Sequence, residues 1–321
     1  MKQRPAARTD PGHTPPADQG TDGSCPACGT TDVSQTGLLT AHRYRLLLCS
    51  ACGTQFYVDT QRDSADSASH YKWESYKLGV YNDDLVRRSF EDRYRELLEK
   101  ARPTAGTLAS VLDVGCGIGN FVAFADRLGM RAIGSDVSPR AIEEARHRGL
   151  DVVSADQVAD VVPDESVDAL TFWDVIEHVH DPGDFLRAVL PKLRPGGVLF
   201  FETPDADFPV RTALLRLYRL TRGRADLTGP MYYWEHKIYL SERGLRALLG
   251  PLGVDVTHVE RQTSVRAKMQ REFSARRSVK GRLLRLTWPM LETVFRRAGR
   301  GNKLLVIARK RDESISPSTP E

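Results

Sequence analysis

The segment Val111–Phe121, with the sequence VLDVGCGIGNF, constrains the fold of this chain more than any other stretch. A short apolar run that contains Asp113 leads directly into Gly115, Gly117 and Gly119. This pattern predicts a buried strand that enters a tight turn and then a helix, because glycine accepts positive φ and lets a ligand lie against the backbone. The GxGxG spacing differs from the GxGxxG fingerprint of dinucleotide-binding folds.

From Leu108 onward, apolar runs of strand length alternate with amphipathic stretches of helical length. Repeated βα units favour an α/β, doubly wound sheet with right-handed crossovers and helices on both faces. One helix is expected from Pro139, because Ser138 is a typical N-cap and proline is favoured in the first turn. An earlier amphipathic helix is expected from Asn82 to about Pro103. The predicted strands are 110–114, 131–135, 151–154, 168–173, 198–202, 254–260 and 303–308.

Two further segments follow the glycine turn in the order and spacing of a known family. They are Phe172–Val179 (FWDVIEHV) and Leu193–Leu199 (LRPGGVL). With the glycine turn, they make the chain resemble the class I S-adenosylmethionine-dependent methyltransferases over about residues 80–262 and 303–310. The resemblance implies a Rossmann-like, seven-stranded and mostly parallel sheet whose last strand is antiparallel. It also implies S-adenosylmethionine as the cofactor.

Acidic residues stand at the ends of the predicted strands, where ligands of doubly wound sheets bind. Asp136 closes the second strand, and its carboxylate can accept hydrogen bonds from both ribose hydroxyls; the alternative is an Asx turn before Ser138. Asp156 follows the third strand, where the resemblance implies an acid or amide near the adenine amino group. Cys116 is interpreted as a packing residue. The full set of candidate cofactor-binding residues is Asp113, Gly115, Gly117, Gly119, Asp136, Asp156 and Asp174.

Four cysteines form two CxxC pairs separated by twenty residues. Each CxxC places two thiolates on one tight turn, and two such turns complete the tetrahedral site of a zinc ribbon. A redox pair is the alternative, but CxxC redox centres belong to thioredoxin-like units, and the sequence indicates none here. Cys25, Cys28, Cys49 and Cys52 are therefore predicted to hold a structural Zn²⁺, since four protein ligands close the site.

Methyl transfer to a hydroxyl or an acidic carbon needs a base near the ends of the fourth and fifth strands. His236 is the leading candidate, with Glu235 orienting it or binding substrate. The resemblance places their segment, Trp234–Ser241 (WEHKIYLS), beside the acceptor pocket. His178 is the second candidate. The alternatives are a structural role for His236 and hydrogen bonding of Glu177 and His178 to backbone groups at a helix start.

Positive charge is concentrated near the end of the chain. The whole chain carries a net charge of +4, whereas residues 261–311 hold sixteen Lys and Arg against two Glu. A basic segment on an acidic body suggests peripheral contact with an anionic membrane or a lipid-linked substrate through 264–301. An RNA-binding face, given less weight, and a solvated helix surface are the alternatives. Pro289 predicts two short helices there instead of one.

Changes in composition mark the expected domain boundaries. The polar, Pro- and Gly-rich start favours disorder. The lack of a signal-peptide core and of a membrane-length apolar run favours the cytoplasm, with peripheral membrane contact still open. The predicted regions are 1–23 (disordered tail), 24–58 (zinc ribbon), 59–107 (connector and N-terminal helix), 108–310 (methyltransferase domain with insertions at 206–235 and 264–301) and 311–321 (disordered tail).

A four-cysteine ribbon ahead of this domain resembles two groups of enzymes. One comprises sugar methyltransferases of natural-product and surface-polysaccharide pathways, and the other comprises certain ribosomal RNA methyltransferases. The sequence lacks the large C-terminal domain typical of sugar C-methyltransferases, which disfavours C-methylation.

The sequence therefore predicts S-adenosylmethionine-dependent methyl transfer to a small or lipid-linked metabolite, at a sugar hydroxyl, by in-line displacement with a His base. The alternatives are a ribosomal RNA methyltransferase and a non-catalytic S-adenosylmethionine-binding or scaffold protein. No stable protein partner is implied.

Overall fold

A computed structural model gives the structure of the chain over residues 23–39, 44–59, 79–229, 231–233, 235–275, 290 and 292–312. Most of the two predicted tails, Trp234 and the predicted break at Pro289 lie outside these described residues. No helix within the described ranges is long and apolar enough to cross a membrane.

The described strands form two sheets. They are β1 (Val33–Leu39), β2 (Tyr44–Cys49), β3 (Gln55–Asp59), β4 (Ser110–Val114), β5 (Arg131–Asp136), β6 (Val152–Ser154), β7 (Val167–Trp173), β8 (Leu193–Pro204), β9 (Ile238–Tyr239), β10 (Val254–Gln262) and β11 (Lys303–Lys310).

Helices connect these strands. They are α1 (Asp84–Ala105), α2 (Asn120–Arg127), α3 (Pro139–His147), α4 (Val158–Val161), α5 (Pro182–Val189), α6 (Pro209–Leu220), α7 (Glu242–Leu249) and α8 (Arg266–Ala275). Short 3-10 turns cover Ala155–Gln157, Ile176–His178, Leu190–Lys192 and Gly250–Leu252.

The larger sheet has seven strands in the order β10-β11-β8-β7-β4-β5-β6. Strands β4 to β8 run parallel, with Leu112 opposite Ile133 on one side and Leu170 on the other. Strand β11 runs antiparallel to both β8 and β10. The predicted doubly wound, seven-stranded and mostly parallel sheet is therefore confirmed, including the antiparallel last strand.

Helices cover both faces of this sheet, so its central strands are buried and apolar. On one face, α1 and α2 meet β7 in an aromatic cluster. The ring of Tyr94 lies 5.0 Å from that of Phe121 and 4.5 Å from that of Trp173. This packing joins the N-terminal helix to the sheet.

Several predicted element boundaries differ from the structure by one or more residues, and two of these differences have a clear physical cause. The N-cap of α1 is Asp83, not Asn82, because Asp83 Oδ1 accepts from the backbone N–H groups of Leu85 and Val86 at 3.1 Å each. Strand β8 begins at Leu193, earlier than the predicted Val198, because the Pro-Gly-Gly stretch forms a bulge inside the strand instead of a turn before it.

The smaller sheet has the order β1-β2-β3-β9, with every pair antiparallel. The first cysteine pair precedes β1 and the second lies at the turn from β2 to β3, whereas the fourth strand comes from much later in the chain. Phe56 pairs with Ile238, and Gln55 pairs with Tyr239. The cysteine-bearing region is thus joined by a sheet edge to residues that follow His236.

Candidate active site

The glycine turn lies between β4 and α2 and has left-handed backbone conformations at each glycine. The φ angles are +74° at Gly115, +55° at Gly117 and +76° at Gly119. The N–H groups of Gly115 and Cys116 donate to the Ser135 carbonyl at 2.7 and 2.9 Å. A Cβ at Gly115 would lie 2.5 Å from Val175 Cγ2, so both the backbone and the packing require glycine there.

Asp136 ties the glycine turn to the start of α3. Its Oδ2 accepts from Gly117 N at 2.8 Å, and its Oδ1 accepts from Ser138 N at 2.8 Å. The Asx-turn alternative therefore describes one of its two oxygens. Burial raises the pKa of this carboxyl group, while the backbone N–H groups oppose the rise. Contact with the cofactor ribose stays a prediction.

The other predicted acids occupy different environments. Asp113 is 1% exposed and accepts a hydrogen bond from Thr171 Oγ1 at 2.6 Å, and its burial raises its pKa to about 8. Asp156 is exposed, in the 3-10 turn that follows β6. Asp174 follows β7 with φ +56°. All three lie at or just after the carboxyl ends of parallel strands.

Asp174 forms ion pairs with two lysines that were not among the predicted site residues. Lys303 Nζ contacts Asp174 Oδ1, and Lys268 Nζ lies 3.4 Å from Asp174 Oδ2. Although burial opposes it, these ammonium groups lower the pKa of Asp174 well below its usual range. The sequence feature that could have identified Lys303 is its position as a lysine at the start of an otherwise apolar strand, 303–308.

Glu177 is a second buried acid beside Lys303. The side chain is 0% exposed, its Oε2 accepts from Thr203 Oγ1 at 3.1 Å, and its Oε1 lies 3.8 Å from Lys303 Nζ. Burial raises the pKa of Glu177 to about 8. For Lys303, burial lowers the pKa, but Asp174, Glu177 and Glu202 together raise it further, so the ammonium stays charged.

His178 and His236 meet edge to face, with ring centroids 4.8 Å apart. His178 Nδ1 lies 3.1 Å from the main-chain carbonyl oxygen of Glu235. His236 Nδ1 is buried without a hydrogen-bond partner among the described residues. Burial, His178 and Lys303 lower the pKa of His236 well below its usual range, which keeps the imidazole neutral at physiological pH. The structure thus brings the three predicted catalytic residues together, although Glu235 reaches His178 through its backbone.

The four cysteines of the CxxC pairs converge on one point. Cys25 Sγ lies 3.7 Å from Cys52 Sγ, and Cys28 Sγ lies 3.5 Å from Cys49 Sγ. A tetrahedral site with Zn–S bonds of about 2.3 Å has S–S edges of about 3.8 Å. The geometry and the thiolate donor set therefore fit a structural Zn²⁺.

Glu177, His178 and His236 form the other group of described residues with metal-ligand geometry, with ligand atoms within 4.8 Å of one another. Lys303 already brings a positive charge to within 3.8 Å of Glu177 Oε1. A metal ion in this group would face repulsion from that ammonium.

The chain is similar to proteins of one family. A family model described as a methyltransferase domain matches residues 86–259, more than half of the chain. Ubiquinone biosynthesis O-methyltransferases of Xanthomonas oryzae pv. oryzae and Xanthomonas campestris pv. campestris are 39% identical over 102 residues and 38% identical over 103 residues. Each alignment covers 30% of this chain and 43% of the relative, so the chain spans less than half the length of these relatives.

Solved structures are also similar to the chain. A SAM-dependent methyltransferase from Archaeoglobus fulgidus aligns with a TM-score of 0.48 and 21% identity, over 74% of this chain and 100% of the other. The plantazolicin methyltransferase BamL aligns with a TM-score of 0.49 and 16% identity, over 77% of this chain and 93% of the other.

Proposed function

The chain belongs to the class I S-adenosylmethionine-dependent methyltransferases, and from this premise we propose that it transfers the methyl group to a sugar hydroxyl of a small or lipid-linked metabolite. The observation that carries the proposal is the contact between the rings of His178 and His236, with His236 held neutral close to Asp174. A hydroxyl group must lose a proton during transfer, and a neutral imidazole can take it.

The cofactor is proposed to bind along the glycine turn and the adjoining strand ends. Asp136 accepts from the ribose hydroxyls in addition to its backbone partners, since each carboxylate oxygen has two lone pairs. Asp156 is assigned to the adenine end and Asp174 to the methionine end of the cofactor. The methyl group then lies on the side of the sheet edge that His178 and His236 occupy.

His236 is proposed as the base, through the Nδ1 atom that lacks a partner among the described residues. The acceptor oxygen attacks the methyl carbon as the S–CH₃ bond breaks, and the hydroxyl proton passes to His236. The sulfonium loses its positive charge as the imidazole gains one, so the charge of the pocket is conserved. Asp174 stabilises the imidazolium, because an opposite charge nearby favours a protonated base.

Oxygen as the acceptor atom is supported by the curated relatives, which are named as O-methyltransferases. Lipid linkage and peripheral contact with an anionic membrane through 264–301 are supported by exposed apolar and basic side chains. Met290 is 68% exposed and Val294 is 57% exposed, close to the exposed Arg297. Apolar anchors with surrounding arginines suit the interface of an anionic membrane.

The test is a transfer assay with methyl-labelled S-adenosylmethionine and extract from the source cells, separated into RNA, protein, lipid and small-metabolite fractions. Label in the lipid or small-metabolite fraction, in a sugar methyl ether, is the expected result. Label in RNA would replace the proposal with the ribosomal RNA alternative. Cofactor binding with no label in any fraction would favour a non-catalytic protein.

A further inference from the structure

We propose that the second cysteine turn, residues 49–54, is a positioning element for the base His236. In this proposal, metal-bound cysteines fix the histidine segment, residues 235–241, while the cofactor turn is held independently of them. The inference concerns the same site as the proposed function, and its activity test rests on that function.

The backbone makes the first connection between the two regions. Strand β3 leaves the second cysteine turn and pairs with β9, so Phe56 lies opposite Ile238, two residues after His236. Tyr57 N also donates to the Lys237 carbonyl oxygen at 2.9 Å. Backbone hydrogen bonds at a sheet edge fix register as well as distance. The position of His236 along the edge therefore follows the position of β3.

Side chains make a second connection on the same edge. Tyr232 donates from its hydroxyl to Gln55 Oε1 at 2.7 Å, and Gln55 Nε2 donates to the Ala206 carbonyl oxygen at 3.3 Å. Gln55 is 5% exposed, so both of its polar groups are satisfied by residues of the 206–235 insertion. Because both polar groups of this buried amide have partners, the side chain of Gln55 is fixed in one orientation. It therefore holds both ends of the insertion against β3.

The second cysteine turn itself contacts the end of the histidine segment. Ser241 is the N-cap of α7, where its Oγ accepts from Gly244 N at 2.9 Å and also donates to the Cys52 carbonyl oxygen. A Cβ at Gly244 would collide with Thr54 Oγ1, so the helix approaches the turn too closely for any larger residue. The carbonyl of a metal-binding cysteine thus fixes the start of α7.

The opposite side of the histidine segment contacts the 3-10 turn that follows β7. Lys237 N donates to the Glu177 carbonyl oxygen at 2.6 Å, and the Glu235 carbonyl oxygen lies 3.1 Å from His178 Nδ1. His236 is therefore held between the cysteine region and the Glu177–His178 turn. The hydrogen bonds of the glycine turn instead come from Ser135 and Asp136.

The first experiment compares Gln55→Ala with Thr36→Val, each in the full-length, zinc-loaded chain. Thr36 is also buried, and its Oγ1 donates to the Leu46 carbonyl at 2.8 Å within β1 and β2, away from β9. Gln55→Ala is expected to lower kcat by about tenfold, because a misplacement of about 1 Å can cost about 10²-fold and this variant removes only one of several contacts that hold the segment. Zinc content and the Kd for S-adenosylhomocysteine should stay within about twofold of wild type, a change in binding free energy too small to account for that loss.

Thr36→Val is expected to leave kcat unchanged. Equal losses in the two variants would overturn the proposal, because they would show a general stability effect of the cysteine region. Unchanged kcat in Gln55→Ala would also overturn it.

The second experiment needs no acceptor, so it separates failure of this proposal from failure of the proposed function. Zinc is removed with a chelator, and amide hydrogen exchange is followed in residues 235–241 and in the glycine turn. Faster exchange in 235–241 with unchanged protection of 115–120 is expected. Exchange that rises only within residues 23–58, or equally in both regions, would contradict the proposed coupling.

Discussion

The glycine turn is held mainly by one neighbouring strand, whereas the His178–His236 pair is held by segments far apart in the chain. Ser135 and Asp136 in β5 satisfy the turn. The histidines depend on the turn after β7, on β9 and, through β9, on β3, which directly follows the second cysteine turn. The cofactor side, residues 115–120, is thus a local structure built around backbone groups. The acceptor side, the His178–His236 pair, is assembled from side chains on segments that lie far apart in the chain.

The two sides are therefore expected to tolerate different kinds of substitution. A backbone cradle depends on residues that lack side chains, so it fails when atoms are added. An assembly of side chains depends on charge and on alignment, so it fails when a partner is removed. Variants on the two sides should therefore separate cofactor binding from methyl transfer.

His236→Ala should give the largest effect. Loss of a general base lowers kcat by about 10²- to 10⁴-fold, while the Kd for S-adenosylhomocysteine should hardly change, because the glycine turn lies on the other side. The matched control is His180→Ala, which removes an exposed histidine close to His178. Full activity in His236→Ala would remove the base assignment, and impaired cofactor binding would break the separation between the two sides.

Lys303→Met should give the second-largest effect, as a loss of folding stability. It leaves Asp174 and Glu177 without the ammonium between them, and breaking a buried ion pair costs about 3–5 kcal/mol. Lys310→Met is the control, since Lys310 lies on the same strand and donates to the carbonyl oxygens of Leu190 and Leu193. Denaturant unfolding should show a much larger loss for Lys303→Met, and equal losses would contradict the role of the ion pair.

The same variant predicts a change in pH dependence. The lowered pKa of Asp174 stabilises the folded state above about pH 4, the unfolded pKa of Asp, and that contribution is lost as the pH falls through the folded pKa. Lys303→Met should diminish this acid-sensitive contribution. It should also raise the pKa of His236, because Lys303 lowers that pKa in the wild type. The acid limb of the kcat/KM profile should then move to higher pH, and a shift to lower pH would contradict the assignment.

Gly115→Ala tests the cofactor side with the smallest possible addition of atoms. The new Cβ meets Val175 at 2.5 Å on a backbone with φ +74°. Overpacking costs about 2 kcal/mol. If the turn relieves it by shifting away from its binding geometry, binding must pay that cost, which corresponds to about thirtyfold weaker affinity for S-adenosylhomocysteine. Gly129→Ala has the same strain, with φ +81°, but meets no atom within 4 Å. Calorimetry should show weakened binding only for Gly115→Ala. Similar binding in both variants would argue against the glycine turn as the cofactor-binding backbone.

The sequence predicted the cofactor side better than the acceptor side for the same physical reason. The alternation of strands and helices and the Gly115–Gly119 spacing are local patterns, so they identified β4, β5 and the turn between them. The pairing of β3 with β9 joins residues about 180 apart, and nothing in either segment specifies the other. Lys303 was overlooked because its importance comes from Asp174 and Glu177, which only the folded sheet brings beside it.

Two serine N-caps provide the finest comparison of the two sides. Ser138 accepts from Ala141 N at 3.3 Å at the start of α3, next to Asp136, whereas Ser241 caps α7 and also donates to the Cys52 carbonyl. Removing a cap by substitution with alanine costs about 1 kcal/mol, so Ser138→Ala should lose that amount. Ser241→Ala should lose about 1 kcal/mol more, because the buried Cys52 carbonyl then lacks its donor. Thermal unfolding of the zinc-loaded variants measures the difference, and zinc removal should reduce it if the cysteine turn loses its fixed position without the metal. Equal losses with zinc bound would mean that Ser241 acts only as a cap.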